Sequence, residues 1–295
     1  MSSSPVCSCL SCPAHPNGSP IGSSRLVACG FYPSSSMTDA QWALIEPLLP
    51  PAGNTGGRGG RPEAHPRRRV LDAIFYLVAG GIAWAALPRE FPPHQTVYGL
   101  FRRWVTAGAW QQIHDALRDQ ARLRAGRAPA PTAAIIDSQS VRGADTVPTT
   151  SRGYDAGKKV NGRKRHIAVD TNGLLLAVVV TIAAIQDRDA GLRLLGALRA
   201  RFSTISLAWA DAGYAGRLVT WAGTVLHLVV EIVKRCDDLT GFHVLPRRWV
   251  VERTFAWISK RRRCVRDYET LPEHHEAMVH IAMIMTMSRR LARTT

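Results

Sequence analysis

Acidic side chains are in short supply in this sequence. Only 22 Asp and Glu stand against 38 Lys and Arg in 295 residues, a formal net charge of +16 with a pI near 10.5. So large a positive excess repels itself unless a polyanion screens it, which makes nucleic acid the leading partner. Long apolar runs are missing as well. The longest candidate, AIFYLVAGGIAWAALP at 73–88, is shorter than the ~20 residues of a membrane span and is interrupted by Gly80-Gly81. It predicts a buried helix followed by a turn, and no membrane partner. Cysteine is sparse beyond the first thirty residues: Cys7, Cys9, Cys12 and Cys29 crowd the start, and only Cys236 and Cys264 follow. That excludes a disulfide framework for a chain of this size. With His15 the early set suggests zinc, yet C-x-C-x2-C lacks the paired C-x2-C knuckles of formed zinc sites. The stretch LVAC ending at Cys29 looks like a lipid-attachment site, but no apolar segment of ~7–15 residues precedes it. A reducing cytoplasm is the expected compartment.

What is present divides the chain in three. Residues 1–36 are rich in Ser, Pro, Gly and Cys without a sustained period and predict a disordered extension. Thr38 or Asp39 then caps DAQWALIEPLL, in which Trp42, Ile45 and Leu49 recur at helical spacing. A Gly- and Arg-rich linker follows, GNTGGRGGRPEAHPRRR, either a solvated loop or an arm along phosphates. Val70, Ile74, Leu77 and Val78 mark a second helix, which PREFPPHQT breaks. The next helix, VYGLFRRWVTAG, puts Val97, Leu100, Phe101 and Trp104 inside and Arg102 and Arg103 outside. A helix, a Pro-containing break and a helix with exposed arginines suggest a helix-turn-helix that meets DNA through Gln95, Arg102 and Arg103, although any small helical bundle shows this pattern. With a further amphipathic helix from Trp110 to Leu123, residues 37–125 are expected to form a small all-α DNA-binding domain.

After Pro131 the texture changes to short β-rich runs. Strands are predicted at 132–137, 164–170 and 174–182, the last two joined by the turn Asp170-Thr171-Asn172-Gly173. A helix over 188–200, strands at 205–210 and 225–233 around a short helix, and helices at about 246–262 and 273–291 complete the pattern. The expected class for 126–295 is α/β, a mixed five-stranded sheet flanked by helices. No internal repeat is visible.

Two of these strands end in a carboxylate. AIIDSQSVRG runs four apolar residues into Asp137, and TISLAWADAGYAG does the same into Asp211. A carboxylate beside a core is costly unless a cation, hydrogen-bond donors or a metal neutralises it. Strand ends of this kind favour ligand sites, but either aspartate alone reads equally as a turn or cap residue. A third carboxylate sits in VLPRRWVVERTFAWISKRRR, a helix with Val251, Phe255 and Ile258 as its apolar stripe. There Glu252 flanks the buried side, facing the strand ends or pairing with Arg248 four residues earlier. Three carboxylates brought together would repel one another, and two divalent cations relieve that repulsion. Of the other conspicuous groups, Asp187 and Asp189 read as caps of the 188–200 helix, and His274-His275 lack metal spacing. Lys158, Lys159, Arg163, Lys164 and Arg165 read as phosphate contacts of a hairpin, and Lys260 and Arg261 as helix-end cations that also meet DNA.

IIDSQSV, WADAGYAG and RRWVVERTFAW together resemble the catalytic core of DDE transposases from small bacterial insertion sequences, in particular the family named after insertion sequence five. The resemblance covers nearly everything from Met37 onward, with GYDAGKKVNGRKRHIAVDTNG matching the family's hairpin region. It implies an RNase H-like fold for 126–295, with Asp137, Asp211 and Glu252 as catalytic metal ligands. The implied cofactor is two Mg2+ ions, with Mn2+ as a substitute. Transposon-end and target DNA are the implied partners, bound by a homodimer at the nucleoid, with no small-molecule substrate. The family's extended signature has a Tyr three residues before the Arg and a basic residue seven after the Glu. Arg248 fits, Leu245 replaces the Tyr, and Ser259 takes the basic position with Lys260 next. A non-catalytic DNA-binding regulator and a nuclease that cuts without joining are the alternative readings.

Overall fold

Thr38 starts the first helix by a reciprocal cap. Its Oγ accepts from Gln41 N at 3.2 Å while Gln41 Oε1 accepts from Thr38 N at 3.1 Å, so two otherwise unpaired amides are satisfied. The computed structural model describes residues 32, 34–52, 62–233 and 249–293. Its first half is helical: α1 (Asp39–Ile45), α2 (Arg67–Gly80), α3 (His94–Thr106) and α4 (Ala109–Arg124). α2 and α3 bury the apolar stripes expected of them, Val70, Ile74, Leu77 and Val78 on α2 and Val97, Leu100, Phe101 and Trp104 on α3, whereas of Trp42, Ile45 and Leu49 only Ile45 is buried and Leu49 lies beyond α1. Gly81 ends α2 in the left-handed region, φ 72°, and a Cβ there would stand 2.9 Å from that of Arg262. Only glycine meets both demands.

The second half builds one sheet from β1 (Ala133–Arg142), β2 (Gly153–Asp155), β3 (Val160–Val169), β4 (Leu175–Ile182), β5 (Leu207–Ala210) and β6 (Val229–Ile232). β3 is antiparallel to β1, β2 and β4, whereas β1, β5 and β6 run parallel. Among the described residues the sheet thus has six strands where five are expected, because β2 adds three residues beyond the main ladder, too short a run to show as alternation. α5 (Asp187–Arg201) and α6 (Arg217–Leu226) follow β4 and β5, and α7 (Trp249–Ser259) and α8 (Pro272–Leu291) follow β6. α6 claims Val225 and Leu226 from the strand expected at 225–233. The β3–β4 turn forms as expected: Asp170 Oδ1 accepts from Asn172 N and Leu174 N at 2.9 and 2.8 Å, and Gly173 has φ 79°. The other Asp170 oxygen meets Arg122 of α4 in a buried ion pair.

Side-chain alternation separates two cores. Ala134, Ile136, Ala168 and Ala208 face α5 and α6. Ile135, Ile167, Val169 and Trp209 face the other way, into a core that also holds α7, α8 and the apolar stripes of α2, α3 and α4. α8 is the shared element, buried from Ala277 through Met287 except at Thr286 and tied to α1 where Gln41 Nε2 donates to Ser288 Oγ at 3.2 Å. The core on that face includes residues from both sides of 125/126. Packing also includes residues before 37: the Tyr32 ring lies tilted 4.5 Å from that of Tyr76 and stacks 5.4 Å from Phe91, and Ser35 and Ser36 are buried.

Candidate active site

Asp137 does not end its strand. β1 continues to Arg142, paired with β3 throughout. What stops is the pairing with β5, which runs from Ala133↔Leu207 to Ile135↔Trp209. Carried two residues further, that register sets Asp137 beside Asp211, the residue at which β5 has given way to a turn. The apolar run ends at Asp137, just past the point where β1 loses its parallel neighbour, the kind of strand end that favours ligand sites. Asp137 Oδ1 accepts from Ser138 N at 2.7 Å. Asp211 caps the turn that follows, accepting from Gly213 N at 2.9 Å.

A further carboxylate joins them. Asp187 lies in the first turn of α5, whose N-cap is Gln186, so it does not cap the helix. Its Oδ1 accepts instead from Ser138 Oγ at 2.8 Å and pairs with Lys164 Nζ at 3.1 Å. Tyr214 is buried where all three aspartates act on it. Burial, followed by the charges of Asp187, Asp137 and Asp211, pushes its phenol well above its ordinary pKa, so it stays protonated. His166 Nδ1 is 3.5 Å from the Tyr214 hydroxyl and its Nε2 is 3.1 Å from Thr181 Oγ1. Burial outweighs the attraction of Asp187 and lowers the His166 pKa to about 4, leaving a neutral ring. A cleft of about 530 Å3 opens beside Asp187, lined by Lys164, Ala212, Gly213 and Gly216. Sequence reasoning missed Asp187 and Tyr214. The available signal was Lys164 and His166 alternating on one face of a buried strand, which demands an acid opposite.

Glu252 comes from α7. It is exposed on the first turn of α7, while Val251, Phe255 and Ile258 pack that helix against β1 and β3. Among the described residues no three His, Cys, Asp or Glu are grouped to hold a metal ion. The residue types nonetheless suit a hard cation, since Asp137 and Asp211 carry carboxylate oxygens.

The expected phosphate contacts separate into two sets. Lys158 and Lys159 are exposed at the β2–β3 turn, and Lys158 Nζ reaches Ser138 O at 3.3 Å, beside Asp137. Arg163, Lys164 and Arg165 are buried, which corrects their reading as phosphate contacts. Arg163 pairs with Asp267 at 3.0 Å and donates to the Glu269 and Thr270 carbonyls. Lys164 holds Asp187 and, at 3.5 Å, Asp155. Arg165 donates to Gln139 Oε1, Cys264 O and Ser259 Oγ. Their donors are spent inside the protein. Gln95, Arg102 and Arg103 are exposed on α3, Lys260 is exposed, and Arg261 is half-buried after α7. Arg248 and Leu245 lie outside the described residues.

Comparison with known proteins places both halves. Residues 37–114 match the family described as "Putative transposase of IS4/5 family", and residues 128–287 match "Transposase DDE domain". Two relatives come from Burkholderia cepacia. "Insertion element IS402 uncharacterized 16.2 kDa protein" is 35% identical over 108 residues, covering 35% of this chain and 71% of that protein. "Putative transposase for insertion sequence element IS402" is 30% identical over 139 residues, 45% of this chain and 65% of that protein. The chain thus spans just under two thirds of the length of the latter.

Proposed function

This chain belongs to the DDE transposases of insertion sequences, and from that premise we propose that it binds the ends of its element and catalyses metal-dependent DNA cleavage and strand transfer. The observation that carries the reading is the parallel register of β1 and β5, from Ala133↔Leu207 to Ile135↔Trp209, which continued by two residues would bring Asp137 level with Asp211. Asp137, Asp211 and Glu252 are the residues that would hold two Mg2+ ions, or Mn2+. When bound, such ions supply Lewis acidity to the attacking and leaving oxygens of an in-line displacement. The chain's own groups do the rest. Tyr214, held protonated, keeps a donor among the aspartates. Lys164 pairs with Asp187 and offsets its charge. Lys158, exposed beside Ser138, is positioned for a phosphate of the strand being cut. Gln95, Arg102 and Arg103 on α3 read end sequence, where a good bidentate base contact discriminates by about 1–3 kcal/mol. An RNase H-like core is supported by the sheet order, with β3 antiparallel between β4 and β1 and with β1, β5 and β6 parallel. A homodimer on DNA, acting in the bacterial cytoplasm, completes the reading. Among the described residues no helix is long and apolar enough to cross a membrane.

The test is amide replacement. Asp137→Asn, Asp211→Asn and Glu252→Gln remove charge with little change of volume, so each should abolish magnesium-dependent cleavage of end DNA while folding and end binding persist. A folded variant of any of the three that cuts at the wild-type rate overturns its assignment. A strand-transfer product distinguishes a transposase from a nuclease that does not join.

A further inference from the structure

Arg253 lies between two indole rings of its own helix. Its guanidinium carbon is 4.5 Å from the centre of the Trp249 ring and 4.7 Å from that of Trp257. The spacing of four residues on either side stacks the three along one face of α7. Near the end of α8, Arg290 lies over the same Trp257 ring at 3.9 Å. The ladder Trp249, Arg253, Trp257, Arg290 therefore crosses from one helix to the other.

Further cations border it. Burial and then the neighbouring Arg253 lower the pKa of Arg290, burial and then Arg293 lower that of Arg289, and burial and then Arg289 bring Arg261 down to about 10. Among the described residues no carboxylate stands within ion-pair distance of Arg253, Arg261, Arg289, Arg290 or Arg293. Arg67, Arg68, Arg118, Arg122, Arg163, Arg201, Arg217 and Arg263, by contrast, all have one. Arg253 donates to Asn172 O at 2.9 Å, and its Nε is buried without a partner. Clustered like charges are unfavourable unless an anion joins them. The indoles hold the planar guanidinium still, which lowers the entropy cost of a paired contact.

We propose that this α7–α8 face is a phosphate-binding surface for the backbone of double-stranded DNA, distinct from the base-reading face of α3. The ring faces turned to Arg253 and Arg290 are occupied by guanidinium, so the surface grips phosphates and does not stack bases. It rests on the reading that the chain acts on DNA, but not on any assignment of catalytic residues.

The experiment uses the full chain and follows duplex binding as a function of salt, with end DNA and with random duplex. The Arg253→Gln, Arg290→Gln double variant should lower the log–log salt slope by about two, one for each phosphate that is no longer neutralised, and equally on both duplexes. Arg253→Lys keeps the charge but not the planar stack, so it should keep the slope while weakening affinity. An unchanged slope and affinity in the double variant overturns the proposal, and a weakening confined to end DNA reassigns the face to base reading. Should the double variant not fold, phenylglyoxal labelling of the wild-type chain decides: bound random duplex should protect Arg253 and Arg290, and equal labelling with and without DNA rejects the surface. Failure of the amide variants at Asp137, Asp211 or Glu252 to stop cleavage would leave both readouts untouched.

Discussion

Strand β3 and the α7–α8 face both gather cations, and they hold them in opposite ways. Arg163, Lys164 and Arg165 follow one another in the sequence, yet each points into the protein and finds a carboxylate, an amide or a carbonyl there. Arg253, Arg289 and Arg290 on two helices, with Arg261 just after α7, meet aromatic rings, carbonyls and one another. A run of basic residues is thus a poor guide to a DNA surface. What distinguishes the two regions is burial and counter-charge: the β3 cations end on acceptors inside the protein, carboxylates for Arg163 and Lys164, whereas among the described residues no carboxylate pairs with the α7–α8 arginines.

The largest effect should come from β3. Arg163→Ala leaves Asp267 buried beside His275 without its arginine, and stripping one partner from a buried pair costs about 3–5 kcal/mol. Denaturant unfolding should show that loss. A variant as stable as wild type but with a smaller DNA salt slope would erase the distinction between the two regions.

A smaller and pH-dependent effect belongs to the fourth group of the same run. The folded-state pKa of His166 is about 4, mainly through burial, against an ordinary value of 6.5. Between those values the unfolded chain takes up a proton that the folded chain refuses. The His166 contribution is therefore full above about pH 6.5 and is lost as pH falls towards about pH 4. His280 and His114, whose pKa values are also lowered by burial, act in the same sense. His166→Gln should make unfolding free energy less steep in pH across this interval by up to one proton. An equal steepness in the variant would mean that the ring is not neutral when folded.

The smallest change sharpens the contrast within a few residues. Lys158 precedes β3 and is exposed, so Lys158→Ala should leave stability within about 0.5 kcal/mol while lowering the salt slope by about one. Stability loss without a slope change would place Lys158 with Arg163 after all.

Much of this fold is legible in the sequence, because helical stripes such as Val97, Leu100, Phe101 and Trp104 and the turn from Asp170 to Gly173 are fixed by residues within reach of one another. Asp137 and Asp211 are legible for the same reason, each closing an apolar run. What escapes is set by distant partners. Arg163 meets Asp267, 104 residues away, and Ser138 meets Asp187, 49 residues away, and no local pattern announces either. The continuation of β1 past Asp137 escapes likewise, since it depends on pairing with β3. Glu252 is a case of the reverse kind: helical spacing puts it beside the apolar stripe, but spacing cannot say that the side chain is left in solvent.

The sharing of α8 has a consequence for how the chain comes into being. α1 to α4 are synthesised first, but the surface they must cover is completed by a helix made much later, with Gln41 reaching Ser288 across 247 positions. Ribosome-bound chains should hold those four helices only loosely until α8 emerges, since contacts of such sequence separation are won late. A message cut short after the helical half should accordingly yield no free-standing competitor for the same DNA, only a chain exposing Val70, Phe101 and Trp110 to proteolysis.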